Sequence, residues 1–328
     1  MIIVRAPLRI SLGGGGTDLP GYFEKNEGFV VSAAINKFIT IVINENLKNR
    51  YEIKYSKYEN VKKINHINHN IIRECLKLLK IKQGIEISSF SDVPHGTGLG
   101  SSGAFTVCLL KGLYLFKKIK ISNKDLAFKA FHIERNILRQ SVGYQDQLTA
   151  ACGGLLLQKY SKKKIYVQNL KISKSFEKNF NSRLILIYSG ITRYSKSILN
   201  RQDSLSKKNN KIIIKSLNDI KKTGYRIYKN SIKKNLKDYG KYLDEYWNSK
   251  IRIDKKIANK KIHSIIKICK ENNVDGCRVV GAGAGGYVLA HSKNFNRLII
   301  HLKKKNILYL PIKIEGKGVS VIDQYNKL

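Results

Sequence analysis

The sequence predicts a two-domain α+β protein folded around a cleft. Three observations lead there. At 328 residues the chain can bury a sizeable core and divide it in two. Its first third reads as strands that pass through a glycine-rich loop into an apolar helix. Its end reads as strand, helix and strand, which suits a ferredoxin-like α+β sandwich. No Gly/Ser-rich linker separates the halves, so they are expected to meet within residues 153–180, giving domains over residues 1–175 and 176–328.

Taken in order, residues 2–4 and 9–12 form one extended run. Gly13-Gly-Gly-Gly-Thr-Asp-Leu-Pro20 comes next, with a backbone that can lie close to a ligand and Asp18 held just beyond the glycines. Thr-Asp is also a common turn or helix cap, and an arginine on a strand is commonly a surface charge. Arg9, however, stands between apolar neighbours near the glycine run, which favours a role in a site. Residues 29–43 are apolar and β-branched, broken at Asn36-Lys37, and fit one or two antiparallel strands. Residues 51–55 alternate as another strand. Residues 68–79 place Ile71, Ile72, Cys75, Leu78 and Leu79 on one helical face. His66 and His69 read as surface or cap residues. Residues 85–90 are a short strand.

Asp92-Val-Pro-His-Gly-Thr-Gly-Leu-Gly-Ser-Ser-Gly-Ala104 then enters an apolar helix over residues 105–116. Glycines let main-chain N–H groups approach a ligand, and the first N–H groups of a helix are unpaired at the positive end of its dipole. Together they suit a phosphate. Ser122 and Asp125 resemble a capping box for a helix reaching about Arg139, with Glu134 at the edge of its inner face. Ser141-Val-Gly-Tyr-Gln-Asp146 breaks that helix, and residues 147–151 begin another turn. Glu134 and Asp146 can therefore face one cleft, in a chain with only 23 acids. Residues 155–168 form a hairpin, and the strand over 183–188 ends in Ser189-Gly-Ile-Thr-Arg-Tyr-Ser195. Residues 197–269 are helical, with breaks near 233–238 and 249–254. Arg278-Val-Val-Gly-Ala-Gly-Ala-Gly-Gly286 is a second glycine loop. A strand over 287–290, a helix over 295–304, a strand over 307–314 and a last strand after Gly316-Lys-Gly318 complete the chain.

Lys and Arg number 62, for a net charge of +39. That balance alone would favour nucleic acid or an anionic substrate. The lysines are spread over every segment alongside many Asn and Ile, and no arginine-rich arm appears, so compositional drift is the better reading and no nucleic-acid partner is expected. No run of about 18 apolar residues exists, so no membrane span is expected. The first residues read as a strand, not a signal peptide. Five scattered cysteines show no metal-ligand spacing and fit core positions in a reducing cytoplasm.

The loop at Gly96–Ser102 lacks the Gly-Lys-Ser/Thr of a Walker loop and the spacing of a dinucleotide fold. The parts of a phosphoryl-transfer site are nevertheless present. Ser102 and Glu134 can share Mg²⁺. Asp146 can take the proton of a substrate hydroxyl, and Arg9 can stabilise the charge that develops on its oxygen.

These residues carry a family resemblance. Ala6-Pro-Leu-Arg9 with Thr17-Asp18, Pro94-His-Gly-Thr-Gly-Leu-Gly-Ser-Ser-Gly-Ala104, and Arg278-Val-Val-Gly-Ala-Gly-Ala-Gly-Gly286 resemble, in order, the three blocks of the GHMP kinases. Gly143-Tyr-Gln-Asp-Gln147 resembles the family's catalytic segment. The resemblance implies a two-domain fold, with an N-terminal domain like domain 2 of ribosomal protein S5 and a ferredoxin-like C-terminal domain. It implies ATP held by Pro94, Gly96, Thr97, Gly98, Leu99, Gly100, Ser101, Ser102 and Gly103. It implies Mg²⁺ at Ser102 and Glu134, and catalysis by Asp146 with Arg9. Gly14, Gly15, Gly16, Thr17, Asp18, Tyr144, Gln145, Arg193, Gly283 and Ala284 would line the acceptor site, with Arg193, then Lys196, candidates for holding a distal phosphate. The chain departs from the family pattern at Leu8, Gly103, Arg278 and Val280, where glycine, alanine, lysine and threonine are usual. Gly13 to Pro20, His132-Ile-Glu-Arg135 and the segment at Gly143 resemble, more narrowly, the members that phosphorylate the anomeric hydroxyl of D-glycero-D-manno-heptose 7-phosphate, a step toward nucleotide-activated heptose for surface polysaccharide. Fucokinase-type enzymes show similar patterns, so an unphosphorylated sugar stays open. A basic nucleic-acid-binding protein is the alternative of a different class. A cytoplasmic monomer or homodimer is expected.

Overall fold

The computed structural model describes residues 1–192 and 196–324. Two sheets organise it. The first contains β1 (Ile2–Gly13), β2 (Gly28–Glu45), β3 (Tyr51–Lys54), β4 (Tyr58–Val61), β5 (Ile85–Ser91), β6 (Leu155–Tyr160), β7 (Ile165–Asn169) and β12 (Ser320–Gln324). Its order runs β12-β1-β2-β5-β3-β4, with β6 and β7 continuing from the other end of β2. Among the described strands, only β3 and β5 pair in parallel. The second sheet is antiparallel, in the order β11-β8-β10-β9, from β8 (Leu184–Tyr188), β9 (Gly276–Val279), β10 (Tyr287–His291) and β11 (Tyr309–Pro311).

The helices are α1 (Pro20–Asn26), α2 (Asn70–Leu78), α3 (Ser101–Phe116), α4 (Asn123–Phe131), α5 (Gln145–Cys152), α6 (Lys174–Asn181), α7 (Lys196–Lys207), α8 (Lys211–Ile232), α9 (Tyr239–Ile251), α10 (Lys260–Glu271) and α11 (Asn296–Lys304). A π-helical turn over His132–Ile137 extends α4. No described helix is long and apolar enough to cross a membrane.

The long β2 is a single strand. The break at Asn36-Lys37 is absorbed as a bulge, where pairing slips from Pro7↔Phe38 to Leu8↔Ile35. Pro7 has no N–H to give the ladder, and a bulge tolerates that. α3 is apolar around most of its circumference and largely buried from Gly103 to Tyr114, against β1, β2, α4 and α5. His69 and Ser122 cap α2 and α4 through their side chains. α1, β4, α6 and β9 go beyond the elements expected from periodicity, because each is short.

The end of the chain differs from expectation. Only Tyr309–Pro311 of the strand expected over 307–314 joins the second sheet. The next residues cross to the first: Ile314 bridges Ile35, Glu315 N donates to Ala34 O, Gly154 N donates to Glu315 O, and Val319 N donates to Ala150 O. β12 then pairs with β1. The last strand thus belongs to the first sheet, because β1 has an open edge there and a three-residue turn leads to it.

Candidate active site

The first glycine loop is built by alternation. Gly96, Gly98 and Gly100 have φ of 76°, 82° and 74°, in the left-handed region, and the residues between them do not. Such alternation turns successive N–H groups to one side, at the start of α3. The residues between face the core. Thr97 is buried with its hydroxyl spent on Pro94 O (2.9 Å), and Leu99 is buried among apolar side chains. Their contribution to a ligand is main chain only. The loop lies along β1, with Arg9 N donating to Leu99 O (3.0 Å). The second glycine loop supports it from behind. A Cβ on Gly286 would stand 2.1 Å from Thr97 O, and one on Gly281 would stand 2.5 Å from Gly98 Cα.

Arg9 projects from β1 beneath the first loop. It is 7% exposed, donates to Gly98 O (2.6 Å), and places Nε 2.7 Å and NH2 2.6 Å from Asp146 Oδ1. Asp146 sits in the first turn of α5, with a third of its side chain exposed. Both contacts fall on one oxygen, so among the described residues Oδ2 accepts no hydrogen bond.

Glu134 is fully buried, not at the edge of a helical face as expected. The π turn shifts its direction, since one extra residue per turn rotates the side chains beyond it. Its carboxylate accepts from Ser102 Oγ (2.7 Å) and Gln147 Nε2 (3.0 Å). Burial raises its pKa above the ordinary carboxylate value, and the two hydrogen bonds only partly offset that. A buried carboxylate with no cationic side chain paired to it among the described residues, touching a hydroxyl at the loop mouth, is a hard-oxygen donor pair that fits Mg²⁺.

Asp18 is buried beside Asp146. Oδ1 accepts from Gly16 N (3.0 Å) and Oδ2 from Gln145 N (3.2 Å). Its pKa is raised by burial and then by the Asp146 charge. Gln145 joins it through its main chain, and Gly143 gives it room. Of the glycine run, Gly14 O accepts from the Thr17 hydroxyl (2.7 Å), Gly15 O from Tyr246 (3.0 Å) and Gly16 O from Gln202 (3.1 Å).

The structure thus brings Arg9, Asp18, Ser102, Glu134, Gln145 and Asp146 together beside the loop. It turns others away. Thr17 is fully buried and pins the glycine run to Phe29. The Tyr144 ring stacks on Phe131 at 3.5 Å and packs toward Phe23 and Tyr160. Ala284 is buried, with N bonded to Ile257 O and O to Asn259, whereas Gly283 stays partly exposed beside Ile257. Arg193 lies outside the described residues. Periodicity missed Gln202 and Tyr246, which reach the glycine run at Gly15 and Gly16 from α7 and α9, and Lys250, which reaches the second glycine loop from α9. Nothing local marks them, because their partners are some 30 to 230 residues away.

Residues 70–154 match the N-terminal domain of the GHMP kinases. The chain is 27% identical over 334 residues to the D-glycero-alpha-D-manno-heptose 7-phosphate kinase of Campylobacter jejuni, covering 97% of this chain and 98% of that one. It is 22% identical to the bifunctional fucokinase/GDP-fucose pyrophosphorylase of Arabidopsis thaliana, over 89% of this chain and 30% of that protein. It superposes with a TM-score of 0.82 on a D-glycero-D-manno-heptose 1-phosphate kinase from Bacteroides thetaiotaomicron, at 20% identity, covering 99% of this chain and 100% of that one.

Proposed function

The chain carries a GHMP kinase N-terminal domain on a GHMP kinase fold, and from that premise we propose that it transfers the terminal phosphate of ATP to the anomeric hydroxyl of a sugar phosphate, D-glycero-D-manno-heptose 7-phosphate. Similarity over nearly the whole chain supports a sugar kinase of this family; the heptose phosphate is the finer reading. The observation that carries the chemistry is the Arg9–Asp146 pair, with one carboxylate oxygen held and the other open.

In this reading the amides of Gly96–Ser102 receive the triphosphate. Ser102 and Glu134 would hold Mg²⁺, which would supply charge neutralisation on the phosphates. Asp146 Oδ2 accepts the anomeric proton, a modest task because that hydroxyl is more acidic than an ordinary alcohol. Arg9 keeps the carboxylate oriented and stabilises the oxygen as it becomes negative. Asp18 and Gln145 orient the sugar. The product would serve nucleotide activation of heptose for surface polysaccharide.

ADP release over a panel of sugars tests this. Turnover on D-glycero-D-manno-heptose 7-phosphate is expected. Turnover on free fucose or galactose, with none on the heptose phosphate, would favour the fucokinase-like alternative. Tight nucleic-acid binding at physiological salt without ATP turnover would refute both. Asp146→Asn is expected to lower kcat by about a thousandfold with the fold retained, and near-normal turnover would sink the base assignment.

A further inference from the structure

Of the 62 Lys and Arg residues, those buried among the described residues are Arg9, Lys250 and Arg278, and they lie at one place. Burial, and then the Arg278 and Arg9 charges, push the Lys250 pKa well down, and burial, with a smaller part from the Arg9 charge, lowers that of Arg278. Of the three, only Arg9 pairs with a carboxylate among the described residues. Arg278 donates to Ser11 O and Val279 O, lies 4.1 Å from the Tyr246 ring centroid, and leaves Nε without a partner among the described residues. Lys250, on α9, donates to the carbonyl of Gly281, and its ammonium stands 5.8 Å from the same ring.

The place is the seam between the two glycine loops. Gly281 packs against Gly98, and Gly98 O accepts from Arg9. Lys250 therefore reaches one side of the seam and Arg9 the other. A tie to Gly281 could be made by a neutral donor. A buried lysine whose charged form is disfavoured by burial and by two nearby guanidiniums is a costly way to make it, unless an anion arrives.

We propose that Lys250, backed by Arg278, binds a terminal phosphate group of a substrate at this seam. The proposal rests on the kinase reading above. The chemistry, a phosphate dianion on a tetrahedral end group, is common to the γ-phosphate of ATP and to the distal phosphate of the acceptor. An ammonium and a guanidinium are matched to such a group by charge-assisted hydrogen bonds.

The test uses the full chain and Lys250→Met, which keeps an unbranched apolar stem one atom shorter and removes the charge. Calorimetry would measure three ligands: AMPPNP with Mg²⁺, D-glycero-D-manno-heptose 7-phosphate, and the unphosphorylated heptose. Affinity for one phosphate-bearing ligand is expected to fall by about tenfold or more, with the neutral heptose unchanged within about twofold. Loss on AMPPNP assigns the phosphate to the nucleotide; loss on the heptose phosphate assigns it to the acceptor. All three unchanged, or all three weakened alike, would overturn the proposal and leave Lys250 as a loop tie. If the variant fails to fold, wild-type crystals with each ligand decide. A phosphate oxygen within about 3.2 Å of Nζ supports the site, and phosphates lying elsewhere overturn it. If the wild-type protein does not bind the heptose phosphate, the substrate reading above is wrong, and Lys250 stands or falls on the nucleotide arm.

Discussion

A Cβ placed on Gly103 would stand 2.7 Å from Cβ of Asp146. The helix that begins at the first glycine loop therefore touches the helix that carries Asp146, the proposed base, where a side chain would be. The family resemblance places alanine at this position, so from sequence the exchange looks neutral. Alanine would even improve the helix by up to about 1 kcal/mol. The geometry says otherwise for catalysis. Gly103→Ala is expected to keep the fold and displace Asp146, lowering kcat about 10- to 100-fold with KM for ATP within about twofold. Steady-state kinetics with a melting curve checks it; unchanged kcat would show that α5 moves aside freely.

Gly143 stands in the same relation to Asp18, where an added Cβ would lie 2.0 Å from Oδ2. Gly143→Ala would push Asp18 off the amide of Gln145, from which it now accepts at 3.2 Å. KM for the sugar, measured at saturating ATP, is expected to rise about tenfold or more, the size of a lost charge-assisted contact, while KM for ATP holds.

Glu134 gives a pH prediction. Its folded pKa is raised, so the folded protein binds more protons than the unfolded chain between the ordinary carboxylate value and the raised one. Its stability contribution is therefore intact below that range and is lost as pH rises through it. In Glu134→Gln the amide can donate to Ser102, whose hydroxyl turns to accept. Without added metal at pH 7.5 the variant should melt about 1–3 °C above wild type, and the gap should close toward pH 4. Turnover should fall by about a hundredfold or more. A variant that melts lower at neutral pH would show the carboxylate already offset in the empty protein.

Tyr246 ties α9 to the glycine run through Gly15 O at 3.0 Å. Tyr246→Phe removes that bond with little change of volume. A loss of about 1 kcal/mol is expected, or a few degrees in melting temperature, with KM for the sugar raised several-fold. An unchanged KM would mean that the run holds its shape without α9.

The phosphate loop was legible because glycine spacing is a local property. Alternate left-handed residues at Gly96, Gly98 and Gly100 need no distant partner to be inferred. Arg9, Glu134 and Asp146 were legible because each belongs to a short block. What each does within the site was only partly so. Thr17 sits beside Asp18 in sequence, yet it faces inward to Phe29 while Asp18 faces the site. Tyr144 precedes Gln145, yet its ring joins an aromatic stack. Neighbours on an irregular loop point in different directions, and no periodicity records which.

By itself, the sequence determined the α+β organisation and the two glycine loops, and it singled out Arg9, Glu134 and Asp146 as candidates, because these arise from periodicity, backbone freedom and side-chain chemistry. Tertiary structure alone decided that Glu134 is buried, that the last strand returns to β1, and that Gly103 must stay small for Asp146. It also decided that Lys250 and Arg9 reach the two sides of the seam between the loops, at Gly281 and Gly98. The reason is common to all four. Each depends on a distance between segments far apart in the chain, set by how the two sheets and their helices pack.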